Sequence, residues 1–128
     1  QNDPFKALAG AAMRFDLRAA SLSGIGAFWG VTIGFFDRSG RDYIRRDIRE
    51  QVEVLTLLGN IALDQGEPRV HVHVVVGRAD GTAMGGHLLG GSVDPTLEVT
   101  IVESPATLRR RTDPGSGLAL IDLDWGSG

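Results

Sequence analysis

One eight-residue stretch near the middle of the chain constrains the fold more than any other part of the sequence. Across residues 69–76 every second position is valine, and the positions between the valines hold His71, His73 and Val75. Successive side chains of a β-strand point to opposite faces, so this alternation predicts a strand with one buried face of valines. Both histidines then project from the other face, with their Cα atoms roughly 6.5–7 Å apart.

Length and hydrophobicity set the class of protein. The 128 residues suit a single domain with one core. Apolar residues make up 42% of the chain, which excludes a disordered protein. No apolar run approaches the ~20 residues that span a bilayer. We therefore expect one domain over residues 1–128, cytoplasmic and without membrane contact.

Charge and the absence of cysteine limit the possible partners. The formal net charge is −3, whereas domains that bind nucleic acid are usually basic, with a pI above ~9. DNA is therefore a weakly supported partner. Without cysteine there is no disulfide framework and no thiolate ligand. A transition-metal site in this chain would have to use His, Asp or Glu.

The remaining patterns predict an α+β domain, with a mixed, largely antiparallel sheet packed against one or two helices. A helix is expected over residues 3–15, capped by Asp3 and with Pro4 at its first position. Residues 41–50 suit an outer strand or a helical turn. Residues 105–117 include three consecutive arginines, followed by Asp-Pro-Gly-Ser-Gly, and predict a flexible loop with a solvated basic run. Further strands are expected over residues 31–36, 52–58, 82–89, 97–102 and 118–123.

The third histidine, His87, stands on the next predicted strand, and its direction depends on the register of the hairpin. If residues 77–81 form a five-residue loop, His71 lies directly opposite His87, with Cβ atoms ~4.5–5.5 Å apart. A two-residue turn at 80–81 would put His87 on the other face. A bulge at 85–86 would reverse the face once more.

Three imidazoles on one face of a sheet predict a metal site. Neutral imidazole binds zinc with Zn–N near ~2.0–2.1 Å, and three protein ligands leave a fourth position open for water or substrate. The predicted ligands are His71, His73 and His87, with Ni, Cu or Fe as alternatives to zinc. The other interpretation is three strand histidines that are exposed or hydrogen-bonded and hold no metal.

Two carboxylates are candidates for acid–base chemistry beside such a metal. Glu98 is the predicted catalytic residue, because it should lie on the more polar face of its strand. Glu53 is the second candidate, since a carboxylate inside the apolar run 52–58 needs a partner if it is buried. The alternative for both is an interface salt bridge or a solvent-facing side chain.

Five segments in this order along the chain resemble one known family. They are Ser-Gly-Ile-Gly-Ala-Phe at 23–28, Val-Glu-Val-Leu-Thr-Leu-Leu-Gly-Asn-Ile-Ala at 52–62, His-Val-His-Val-Val-Val-Gly-Arg-Ala-Asp-Gly at 71–81, Gly-Gly-His-Leu-Leu at 85–89 and Pro-Thr-Leu-Glu-Val at 95–99. Together they resemble the domain conserved in plants and prokaryotes, the PPC family, over residues 5–103. The family usually begins with a short strand before the helix, and that strand is missing or truncated here.

The resemblance implies a homotrimer with zinc at the positions that match His71, His73 and His87. The fold is also similar to that of acetolactate decarboxylase, a zinc enzyme with a His-x-His pair and a third histidine. Many PPC proteins have a provisional DNA-binding label. The plant members that bind DNA do so through a separate Arg-Gly-Arg-Pro segment, which this sequence lacks.

Three functional hypotheses result. The first is a trimeric PPC-type domain with a three-histidine zinc site and a DNA- or transcription-associated role. The second is a zinc-dependent lyase or hydrolase for a small molecule, in which the metal polarises a carbonyl or activates water and Glu98 moves the proton. The third is a metal-free assembly module. No organic cofactor is expected.

Overall fold

The computed structural model describes residues 3–104 and 109–124, which form one helix and six strands. Helix α1 spans Pro4–Arg14. The predicted α+β class, with a mixed, largely antiparallel sheet and one helix, is confirmed. The strands are β1 (Ala20–Asp37), β2 (Asp42–Asp64), β3 (Glu67–Gly77), β4 (Ala83–Glu103), β5 (Arg109–Thr112) and β6 (Ala119–Ile121).

Four long strands close into a ring of antiparallel pairings. β1 pairs with β2 and with β4, and β3 pairs with the same two strands. Each strand of the ring therefore has hydrogen-bonded neighbours on both sides. β5 extends the sheet by pairing in parallel with β2, and β6 pairs antiparallel with β5. The ring has an inner face for the core and an outer face that is free for other contacts.

The inner face of the ring holds the hydrophobic core. Burying a side chain of this size is worth about 1.5–3 kcal/mol, so the interior of the ring provides most of the stabilisation. The largest side chains with at most 1% exposure include Phe28, Leu57, Ile61 and Leu88.

Helix α1 begins where the sequence predicts. The carboxylate of Asp3 accepts a hydrogen bond from the backbone N–H of Phe5 at 2.8 Å, and Pro4 occupies the first position. Leu8 and Ala12, one turn apart, pack into the core cluster. No helix among the described residues is long and apolar enough to cross a membrane.

The strands of the ring are much longer than the sequence predicts. The expected strands 82–89 and 97–102 are both parts of β4. Residues 42–50 belong to β2, so the helical-turn alternative for 41–50 is wrong. The pairing of β1 with β4 shifts register between Phe28 and Val31. Such bulges bend a strand without ending it.

Part of the predicted flexible loop at 105–117 forms a strand and a hydrogen-bonded turn. Residues 105–108 lie outside the described residues, but the next four form β5 and pair with β6. Asp113 closes the turn between these strands. Its N–H donates to the carbonyl of Leu118 at 2.7 Å, and its carboxylate accepts from the N–H and hydroxyl of Ser116. The Asp-Pro-Gly-Ser-Gly sequence therefore builds a hydrogen-bonded turn.

Candidate metal centre

β3 has the two faces that its alternation predicts. Val72, Val74 and Val76 point into the core and are at most 2% exposed. His71 and His73 project from the outer face, where His71 is half-buried and His73 is exposed. Because one face is packed, the strand cannot rotate or slip by one residue without exposing the valines. The core thereby fixes the direction of both imidazoles.

The hairpin from β3 to β4 brings the third histidine onto the same face, in a register that corrects the predicted one. The loop consists of residues 78–82 instead of 77–81, and His87 pairs with His73 rather than with His71. The pairing therefore slides by two residues. Because two is even, the face of β4 is unchanged and all three imidazoles still converge.

Asp80 is the cause of this register. Its carboxylate accepts hydrogen bonds from the backbone N–H and the hydroxyl of Thr82, at 2.9 and 2.6 Å. Thr82 is thus held in the loop, and its carbonyl accepts from the N–H of Arg78 at 2.8 Å. Gly81 supplies the positive φ of +85° that closes the turn. Local turn chemistry decides which histidines face each other.

The three imidazole rings form a compact cluster. The ring centroids are 5.2 Å apart for His71 and His73, 4.8 Å for His71 and His87, and 5.1 Å for His73 and His87. One nitrogen of each ring can be chosen so that all three lie within 4.8 Å of one another. Among the described residues, this is the group of His, Asp or Glu side chains that could hold a metal ion.

The donor set fits a zinc ion. Three nitrogens at ~2.0–2.1 Å from one tetrahedral ion lie roughly 3.3 Å apart. The observed cluster would have to contract by about 1.5 Å at most, which small rotations of the imidazoles provide. All three donors are nitrogens from one hairpin, so one packed element positions the complete set.

Glycines allow the neighbouring strands to approach the cluster. A Cβ at Gly86 would stand 2.7 Å from the carbonyl oxygen of Gly34 on β1, too close for real atoms. A Cβ at Gly59 on β2 would collide with the carbonyl oxygen of His71. Glycine at position 86, beside His87, therefore permits the close approach of β1 and β4.

Tyr43 contacts His87 and is compatible with a metal ligand there. The hydroxyl oxygen lies 3.5 Å from Nδ1 of His87, and the two ring centroids are 4.8 Å apart. A hydroxyl can accept as well as donate, so it could take the N–H of a metal-bound imidazole and orient the ring. Burial raises the pKa of the Tyr43 phenol and keeps it neutral.

Arg110 contacts His71 and was not predicted as part of the site. Its Nη2 lies 3.1 Å from Nδ1 of His71 and 2.7 Å from Oδ1 of Asn60, and its Nη1 donates to the carbonyl of Ala119 at 2.8 Å. The solvated basic run expected over 109–111 is therefore interrupted at its centre. In a short strand the middle of three consecutive arginines faces away from the other two. This alternation is the sequence feature that could have separated Arg110 from its two neighbours.

The burial of the cluster favours neutral imidazoles in the absence of metal. Burial, followed by the nearby His71, His73 and Arg110, lowers the pKa of His87 to about 4. The pKa of His71 is also lowered, first by burial and then by the positive charge of Arg110. A metal ligand must be an unprotonated imidazole, so at neutral pH both rings are in the form that a metal requires.

A cavity of about 620 Å³ opens beside the three histidines, and we call it the histidine cavity. Its polar side includes Tyr43 and Arg110, and its wall includes Arg69, paired at 3.4 Å with the buried Asp64. Apolar residues complete the lining, among them Phe35, Leu118 and Leu120. A mostly apolar cavity with a few convergent polar groups is typical of a small-molecule site.

Glu98 and Glu53, the predicted acid–base candidates, do not lie in the histidine cavity. Both line a separate cavity with Ile25 and Leu55, which we call the glutamate cavity. Glu98 stands eleven residues after His87 on the same strand and pairs with Ile25 of β1. Both carboxylates are exposed. Within one chain, neither carboxylate therefore lines the cavity beside the three histidines.

Comparison with known proteins identifies the family. The model of the Plants and Prokaryotes Conserved (PCC) domain matches residues 1–105. This is the domain called PPC above, and the chain belongs to that family.

Solved structures share the fold over nearly the whole chain. A protein from Bacteroides thetaiotaomicron, provisionally named as DNA-binding, is 30% identical, with a TM-score of 0.91 over 96% of this chain and 86% of that one. A metal-containing protein from Archaeoglobus fulgidus is 30% identical, with a TM-score of 0.86 over 94% of this chain and 85% of that one.

A curated relative is much longer than this chain. The bifunctional protein GlmU of a Synechococcus strain is 33% identical over 98 residues, which are 75% of this chain and 14% of that protein. The similarity therefore concerns one portion of a larger protein.

Proposed function

We propose that this chain is the metal-binding domain of a homotrimer, and that His71, His73 and His87 together hold one zinc ion. The observation that supports this most directly is the convergence of three imidazole nitrogens to within 4.8 Å of one another. When bound there, zinc would supply a Lewis acid with one coordination position open to the histidine cavity. The metal-containing relative from A. fulgidus is consistent with this role.

The choice of zinc rests on the chemistry of the donors. Imidazole suits zinc, copper, nickel and iron, and carboxylate oxygens suit magnesium, calcium and manganese. No carboxylate joins the three histidines in the group that could hold a metal, as far as the described residues extend. A site of three nitrogens therefore favours zinc over magnesium or calcium.

Metal analysis tests the proposal. We expect about one zinc per chain, after zinc is offered to protein purified without a polyhistidine tag. His73→Ala should lose this zinc, because two imidazoles remain. Tyr43→Phe is the matched control, since it removes a group that touches His87 but is not a ligand. Less than about a third of an equivalent in the unmodified protein would contradict the proposal.

The trimeric state is supported by apolar side chains on the outer face of the ring. Ile25, Leu55, Leu58 and Val102 are each more than half exposed, and Ile25 and Leu55 line one cavity. Exposed apolar surface of this kind is typical of an assembly interface. Sedimentation should give a particle of about three times the chain mass of 13.6 kDa. A monomer at all concentrations would contradict this part of the proposal.

A zinc-dependent enzyme is the second candidate, and the histidine cavity favours it. The cavity gives a small molecule access to the histidines, next to Tyr43 and Arg110. The resemblance to acetolactate decarboxylase expected from the sequence would imply a lyase or hydrolase. Glu98 would have to come from a neighbouring subunit to move a proton here, since within one chain it lies in the glutamate cavity.

A DNA-associated role is supported by the provisional name of the B. thetaiotaomicron relative. The net charge of −3 opposes it, because phosphate binding depends on basic residues. An electrophoretic mobility shift assay with DNA, across a series of salt concentrations, tests whether the chain binds DNA. We expect no retained DNA near physiological salt, and retention there would overturn this expectation.

A further inference from the structure

Arg110 is held so that only part of its hydrogen-bonding capacity is fixed by the fold. Nη1 donates to the carbonyl of Ala119 and Nη2 donates to Asn60, which anchor the guanidinium at 2.8 and 2.7 Å. The third contact, from Nη2 to Nδ1 of His71, is longer at 3.1 Å. A guanidinium has donors and no acceptor. Nδ1 of His71 must therefore accept, and its lone pair points at Arg110.

This hydrogen bond and a metal at His71 exclude each other. A neutral imidazole has one N–H and one lone pair. If the metal takes Nε2, the proton moves to Nδ1, and two donors then face each other across the contact. If the metal takes Nδ1, the lone pair that Arg110 uses is occupied. By either nitrogen, metal binding releases one N–H of Arg110 from His71.

The released donor faces a cavity in which the one acidic residue of the described lining, Asp64, is buried. Within the described residues no carboxylate forms an ion pair with Arg110, and the buried Asp64 pairs instead with Arg69. Nε of Arg110 is buried without a hydrogen-bond partner among those residues. The charge of Arg110 is thus offset only in part, by Asp64 at more than ion-pair distance. An anion that entered the histidine cavity would meet a charge-assisted donor beside the metal position.

The rest of the cavity indicates what kind of anion fits. Leu118 and Leu120 line the same cavity as Arg110 and His71 and give it an apolar wall. Inorganic phosphate would gain nothing from this wall, whereas an organic acid would bury its apolar part there. The cavity volume of about 620 Å³ suits a small molecule.

We propose that the metal-loaded site binds a small organic carboxylate, with its carboxylate group on Arg110 and its apolar part on Leu118 and Leu120. The proposal rests on the metal-binding function above and names the ligand class of the same site. Metal and carboxylate bind cooperatively, because each of them breaks the hydrogen bond between Arg110 and His71. By linkage, each ligand raises the affinity for the other by the same factor.

Calorimetry with isovalerate tests the coupling, and isovaleramide is the uncharged probe of the same shape. We expect isovalerate to bind zinc-loaded protein at least about tenfold more tightly than metal-free protein, the scale of one hydrogen bond to a charged group. Saturating isovalerate should raise the zinc affinity by the same factor. Isovaleramide and inorganic phosphate should show no such coupling.

Arg110→Gln is the decisive variant. It should abolish the coupling and raise the zinc affinity of carboxylate-free protein, whereas general damage to the site would lower that affinity. Arg111→Gln is the matched control, because the same charge is removed one residue away, where the side chain lies near Asp122 and Asp124. Arg111→Gln should keep the coupling.

The outcomes separate this inference from the function on which it rests. If zinc does not bind the unmodified protein, the metal-binding function fails and the carboxylate site fails with it. If zinc binds but isovalerate affinity is equal in Arg110→Gln and in the unmodified protein, the carboxylate sits on the metal alone, and the role of Arg110 is overturned. Tight binding of phosphate in place of isovalerate would contradict the proposal that the ligand is an organic carboxylate.

Discussion

The histidine cavity and the glutamate cavity lie on the same ring of strands but differ in the burial of their titratable side chains and in the side chains that contact them. In the first, two of three imidazoles are half-buried, and Tyr43 and Arg110 contact them. In the second, Glu53 and Glu98 are exposed, and the part of the lining that the structure describes includes no basic side chain. Packing of the valine face positions the nitrogen donors, whereas water screens the carboxylates.

The comparison teaches that residue type alone does not locate a site on a sheet. Glu98 has chemistry suited to a zinc enzyme, yet a continuous β4 places it eleven residues from His87. His87 is next to Gly86, which lets β4 pack closely on β1. The position of a residue along the bent strand β4 therefore decides which side chains it contacts. Glycines such as Gly86 permit the close packing of that strand.

Loss of one imidazole should have the largest effect. His87→Ala should weaken zinc binding by at least about 100-fold, since even partners outside the ligand set are worth 10–100-fold. Glu98→Ala should change zinc affinity by less than about twofold, because it lines the other cavity. Competition with a chelator of known affinity measures both. Equal losses in the two variants would mean that the cavities are not functionally different.

Zinc should raise the free energy of unfolding, and this stabilisation should require the three histidines. Free zinc at a hundred times its Kd should add about 2.7 kcal/mol. For 128 residues this raises Tm on the order of 10 °C. Thermal melts with and without chelator measure the shift. Glu98→Gln should show the same shift, and His71→Ala should show none; a shift retained in His71→Ala would indicate binding elsewhere.

Metal-free protein should lose stability as the pH falls from about 6.5 toward 4. The pKa of His87 is lowered to about 4 in the fold, chiefly by burial, whereas an unfolded histidine titrates near 6.5. Between these values the unfolded chain binds more protons, so acid favours unfolding. NMR titration of the imidazole should find its midpoint near 4. A midpoint near 6.5 would contradict the burial of this ring.

The smallest effects are expected in the glutamate cavity. Glu53→Gln should change the free energy of unfolding by less than about 0.5 kcal/mol, as is usual for exposed side chains. Urea denaturation of the unmodified and variant proteins measures this difference. A loss of several kcal/mol would show that Glu53 has a buried partner in the assembled protein.

The sequence predicts the fold best where apolar and polar side chains alternate along a strand or where a side chain caps the start of a helix. The valines of β3 and the Asp3–Pro4 start of α1 are both local patterns, and both are confirmed. The lengths of β1, β2 and β4 were not predictable in the same way. Strands normally end at glycine clusters, and here bulges and long-range pairing around the ring carry the strands through them.

The site shows the same division between local and long-range information. The alternation of side chains along β3 and β4 places the three imidazoles on one face. That prediction holds because the register is shifted by two residues, an even number. The contacts of Tyr43 and Arg110 could not be predicted, since they lie 44 and 39 residues from the histidines they touch. Only the pairing of distant strands brings them together. The ligand role of the histidines, the trimer and the cytoplasmic location stay predictions.

The central claim is that three imidazoles from one hairpin hold one zinc ion, and X-ray absorption of zinc-loaded protein tests it most directly. The account predicts a first shell with three imidazole nitrogens at ~2.0–2.1 Å and one further light ligand. His73→Ala, which should lose its zinc, should not give this first shell. A shell with two or fewer imidazoles in the unmodified protein, or one made mainly of carboxylate oxygens, would contradict the claim.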